Sequence, residues 1–166
     1  MNASIIPSCV FAAWALAVAI CDLRSRRVPN ALVIAGLVAA LVAACWHAGP
    51  AHLGIGRASI AAAIGLAALM PFFVLGMMGG ADVKVFAALG AWCGLQPLLW
   101  VWVAASLAAL VHALAVIAMR ARSHASASRR VQIVSVGARR GTPYATCLTL
   151  PALAWLALQW MPGAMQ

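Results

Sequence analysis

Acidic side chains are nearly missing from this chain. Its 166 residues include no glutamate and only two aspartates, Asp22 and Asp82, against eleven lysines and arginines. Other absences narrow the field further. The five cysteines (Cys9, Cys21, Cys45, Cys93, Cys147) form no C-x-x-C, which argues against a zinc ribbon or a redox pair. The four histidines show no metal-ligand spacing, so no metal and no cofactor are expected. The net charge of +9 could suggest nucleic acid, yet the basic residues fall in short loops without interleaved aromatics. Anionic lipid headgroups suit such loops better, and no nucleic-acid partner is expected. No basic n-region precedes the first apolar run, so that run reads as a retained transmembrane helix and not as a secretory signal.

What is abundant is hydrocarbon. Apolar residues make up 66% of the chain and charged ones 8%, and the mean hydropathy is +1.04. That lies outside the soluble globular range and implies an all-α, polytopic transmembrane helix bundle forming one domain over 1–166. Long apolar runs occupy residues 5–21, 31–46, 58–78, 97–119 and 144–161. A sixth, 83–95, is shorter, and the break Gly94-Leu95-Gln96-Pro97 sets it apart as a helix buried among its neighbours. The alternative is one helix kinked at Pro97 and five spans. Charge decides between them. With six crossings, Arg24, Arg26, Arg27, Lys84 and the six arginines of 120–142 all face the cytoplasm, leaving Arg57 outside. Both termini then lie outside, and 120–142 is a flexible basic cytoplasmic loop resting on anionic headgroups.

Asp22 and Asp82 each stand where an apolar run meets a polar break, at the same expected depth. A carboxylate in hydrocarbon costs about 2.5–3.5 kcal/mol at a helix centre, so a chain that keeps only these two acids has a use for them. Held together, two carboxyls share one proton: the charged member can act as base on water and the other can donate. The bland alternative is an ordinary interfacial charge, or a partner for a nearby arginine such as Arg24. Gly79 and Gly80 before Asp82 permit dihedrals that a Cβ forbids, or simply turn the chain between helices. Pro29-Asn30 reads as a turn and helix start with Asn30 as N-cap. Lys84 reads as an interfacial cation that snorkels, or else one that tunes the pair. Gly76-x-x-x-Gly80 and Gly90-x-x-x-Gly94 offer close helix approach. Trp92, Trp100, Trp102, Trp155 and Trp160 read as packing or interface residues.

Two of these stretches resemble motifs of a known family. Asp22-Leu23-Arg24-Ser25-Arg26-Arg27-Val28-Pro29-Asn30 is similar to the first aspartate motif of the prepilin (type IV leader) peptidases. Gly79-Gly80-Ala81-Asp82-Val83-Lys84 resembles the second, Gly-x-Gly-Asp, with Ala81 where the pattern has glycine. Val85–Trp92 continues the likeness, and Arg140-Gly141-Thr142-Pro143-Tyr144 resembles the family's approach to its last helix. The resemblance implies a multi-spanning aspartic endopeptidase of the bacterial inner membrane. It would use Asp22 and Asp82 to remove short basic leaders from prepilin-like precursors at the cytoplasmic face, beside pilus or secretion machinery. Without the paired C-x-x-C domain of larger members, the chain looks like the minimal CpaA/TadV-type peptidases of tight-adherence (Flp) pilus systems, lacking methylation. Two other classes compete: a small proton-coupled transporter or channel, and a non-catalytic scaffold of a secretion system. A transporter would set its carboxylates near the midplane.

Overall fold

The computed structural model describes residues 5–25, 27–126 and 144–160, with side chains of 120–126 left aside. Six helices follow one another: α1 (Ile5–Ser25), α2 (Asn30–Cys45), α3 (Ile55–Val74), α4 (Gly80–Cys93), α5 (Leu95–Ser126) and α6 (Tyr144–Gln159). Among the described residues there is no strand. α1, α3 and the Leu95–Met119 part of α5 are long and apolar enough to cross a membrane; α2 and α6 are shorter apolar helices. The chain is a helical membrane protein.

α4 sits at the centre. Its 14 residues extend about 21 Å at 1.5 Å per residue, short of a bilayer core of about 30 Å. Beyond its first turn it is apolar on every side, and every residue from Val85 to Cys93 is buried, as a helix segment without a polar face must be. It packs against α2, α3, α5 and α6. Small residues set the spacing: a Cβ added at Gly90 would stand 2.6 Å from the Ala61 carbonyl oxygen of α3. Gly94, with φ of 80°, ends α4, and α5 starts at the next residue. Pro97 falls in the first turn of α5, where its missing N–H costs nothing. The short buried helix is therefore separate, and the break is at Gly94.

Other boundaries differ from the hydropathy reading. α1 continues past Cys21, and Ser25 Oγ donates to the Cys21 carbonyl at 2.8 Å, so Asp22 lies one turn inside the helix. α3 begins at Ile55 and stops at Val74, short of Met78. Gly76, at φ of 70°, closes it, with the N–H groups of Leu75, Gly76 and Met77 turned back onto Pro71, Phe73 and Phe72. That is a left-handed C-terminal cap, which apolarity alone does not reveal. α5 carries on to Ser126, so the first part of the expected loop 120–142 is helical. The remainder, 127–142, lies outside the described residues.

α1 and α2 are joined by Trp14, whose Nε1 donates to the Leu32 carbonyl at 2.9 Å over the flat space left by Gly36. Phe11 stacks on Trp14 and tilts against Trp92. On the outside, Leu99, Trp100, Val103, Leu107, Leu110, Val111, Leu114 and Ile117 of α5 are exposed. Exposed apolar area on this scale is out of place in water and suited to lipid.

Candidate active site

The C-terminal ends of α1 and α3 and the N-terminal ends of α2, α4 and α6 meet at one end of the bundle. A cavity of about 660 Å³ opens there, and both aspartates line it. Asp22 reaches it from the last turns of α1 and Asp82 from the first turn of α4. The folded chain thus brings its two acids into one site.

The two are held differently. Asp22 is 6% exposed. Its Oδ2 accepts two hydrogen bonds from Thr146, from the backbone N–H at 2.8 Å and from Oγ1 at 2.9 Å. Asp82 is less buried, and the backbone N–H groups of Gly79 and Ala145 bear on its carboxyl. The first turn of α6 therefore supplies the N–H of Thr146 to Asp22, with the Ala145 backbone close to Asp82. The N–H groups of this turn have no partner within their own helix, and the helix dipole there favours negative charge. Among the described residues neither aspartate forms an ion pair, so the reading of Asp22 as a partner for Arg24 is set aside.

Gly79 has φ of −75° and ψ of 144°, dihedrals open to any residue, so unusual backbone angles are not its purpose. Space is: an added Cβ would stand 3.2 Å from Asp82 Oδ2. Gly80 makes room for Phe73, whose ring lies 3.0 Å from where a Cβ would be. Ala81 is half-buried, packs on the core and lines the cavity. Its φ is not positive, so nothing in its backbone demands glycine. Pro29, not Asn30, is the N-cap of α2, and it supplies no side-chain cap. Its carbonyl accepts from the N–H groups of Leu32 and Val33 instead. Asn30 is used otherwise: its Oδ1 accepts from Lys84 Nζ at 3.0 Å. Lys84 is exposed and connects the first turns of α4 and α2.

The remaining walls went unnoticed in the sequence. Trp102 and Ser106 of α5 and Tyr144 of α6 line the cavity with Leu69, Phe72 and Met78. Trp102 is thus a wall of the site and not merely a packing residue. Ser106 Oγ and Tyr144 Oη lie 3.4 Å apart and connect α5 to α6. Thr146 had no local signal, because it follows a stretch without apolar period and looks like any residue opening an apolar run. Among the described residues no cluster of three or more metal-ligating side chains occurs.

The model of the type IV leader peptidase family matches residues 9–114, a stretch that carries both aspartates but stops before α6. No curated protein and no solved structure matches the chain. With a match over more than half its length that includes both aspartate motifs, the chain belongs to the type IV leader peptidase family.

Proposed function

We propose that this chain is an aspartic endopeptidase that removes the leader from prepilin-like precursors, with Asp22 and Asp82 as its catalytic pair. The observation that carries the reading is the one cavity shared by the chain's only two acidic side chains, with Asp22 held there by the first turn of α6. The charged member takes a proton from water, whose oxygen attacks the scissile carbonyl carbon. The protonated member gives its proton to the carbonyl oxygen. On collapse the C–N bond breaks, the first acid protonates the leaving amine, and the diol returns a proton to the second. The pair ends as it began, with one proton between them. The apolar walls around Phe72, Met78 and Trp102 suit a precursor whose leader joins a hydrophobic helix.

The setting proposed is the cytoplasmic face of a bacterial inner membrane, with six crossings and the basic segments inside. The subclass proposed is the minimal CpaA/TadV type, serving pilus or secretion assembly. Incubation of the purified protein with a prepilin-like peptide tests the core of this reading. Asp22→Asn and Asp82→Asn should each abolish cleavage while leaving the fold intact. Cleavage surviving in either variant removes the pair from the mechanism.

A further inference from the structure

Thr146 lies outside both aspartate motifs and beyond the segment matched by the family, yet it donates two hydrogen bonds to Asp22. We infer that Thr146 is a positioning residue that fixes the Asp22 carboxyl by Oδ2 and thereby presents Oδ1 as the oxygen that takes the proton from water. The inference rests on the proposed peptidase reading and adds a division of labour within its acid pair.

Both Thr146 donors fall on the same oxygen, at 2.8 and 2.9 Å. Hydrogen bonds to a charged acceptor are shorter and stronger than neutral ones. Two of them on one atom lock the carboxyl's rotation, and Oδ1 is then left for the reaction. The donors are themselves fixed. Thr146 is 6% exposed, and its carbonyl accepts from the fully buried Thr149 Oγ1 at 3.1 Å. The hydroxyl also has a second acceptor, the Ala19 carbonyl of α1 at 3.4 Å. A hydroxyl has one proton to give. It goes to Oδ2 while Asp22 is charged, and it can turn to Ala19 once Asp22 has taken the water proton. Asp82 has no such side-chain partner among the described residues. Its carboxyl is less buried than that of Asp22 and lies on the cavity wall, which suits the member that releases and recovers its proton.

The test uses the full chain in lipid with a prepilin-like peptide. Thr146→Val keeps the shape and the amide but removes the hydroxyl. It should lower kcat by about ten- to a hundred-fold, the scale of one lost charge-assisted hydrogen bond, with KM changed less than about two-fold. Thr146→Ser should restore kcat to within about three-fold of the parent, because Oγ is returned without the methyl. If the valine variant does not fold, Thr146→Ala removes the same hydroxyl from a smaller side chain and must show the same split. Parental kcat in the folded variants lacking the hydroxyl overturns the assignment, as does a loss confined to KM or a serine variant as impaired as valine. Failure of the parent to cleave would instead strike the peptidase reading itself, and so the two are distinguishable.

Discussion

Lys84 Nζ donates to Asn30 Oδ1 at 3.0 Å, tying together the first turns of two helices whose residues are 54 apart in sequence. Asp82 lies two positions before Lys84, so this bond anchors the turn that presents one of the acids. Because the pair is exposed, solvent competes for it, and its loss should cost less than about 1 kcal/mol of stability. The rate should respond more than the fold. Lys84→Met and Asn30→Leu should each lower kcat/KM several-fold, and the double variant should be no worse than either single one. Full additivity in that cycle would mean the two residues act independently.

Gly79 and Gly76 separate two uses of glycine near the site. Gly79→Ala places a methyl 3.2 Å from Asp82 Oδ2, crowding the carboxyl without straining the backbone. Its kcat should drop at least about ten-fold with little change in melting temperature, since a displaced reacting group is costly even for small shifts. Gly76 has φ of 70° and open space around its Cβ position. Gly76→Ala should therefore act on stability, by about 1–2 kcal/mol, and on rate only as far as the α3 cap loosens. A thermal melt and a cleavage assay on the two variants should rank them in opposite orders.

Gly90 is the tightest point of the α3–α4 contact. A methyl there meets backbone, the Ala61 carbonyl at 2.6 Å, and backbone cannot rotate aside as a side chain can. Gly90→Ala should cost about 1–3 kcal/mol, the usual range for overpacking a filled core. The better helix propensity of alanine, worth about 1 kcal/mol, offsets part of that. Unfolding in detergent that shows no loss of stability would mean the two helices can separate freely at that point.

Much of this was legible beforehand because membrane chains write their elements plainly. Six apolar runs became six helices, and the scarcity of acids pointed straight to Asp22 and Asp82. The short run 83–95 shows its burial in the sequence because beyond Lys84 it is apolar on every side and ends at the Gly94 break. Helix ends were less visible. Gly76 stops α3 before Met78 because of a left-handed turn, and hydropathy carries no information about φ. Asn30 fits the composition of an N-cap, yet a partner far along the chain, Lys84, claims its side chain. Thr146 was beyond reach for the same reason. Its distance of 124 positions from Asp22 is closed only by the packing of α6 on α1, and no local pattern announces that pairing.

The same pair of acids sets a pH expectation. Two carboxyls that must hold one proton between them lose activity when both are protonated and again when both are ionised. The rate profile of kcat/KM should accordingly be bell-shaped, with two apparent values belonging to the pair and not to either residue. A profile that only rises toward alkaline pH would fit a single base and would remove the proton-donating member.

Ala81 stands where the family pattern has glycine, and the site explains why its methyl can stay. The residue lies in the first turn of α4 with φ on the ordinary negative side. Its side chain rests partly on the core and partly on the cavity wall, beside Asp82. Ala81→Gly should therefore lower stability by about 0.5–1 kcal/mol through the greater freedom of glycine in the unfolded chain. It should leave kcat within about two-fold, the scale of a contact change worth less than 1 kcal/mol. A several-fold gain in kcat would mean that the methyl obstructs the substrate's approach to Asp82. Ala81→Leu offers the opposite check: a side chain that size fills the cavity mouth, so KM should rise more steeply than kcat falls.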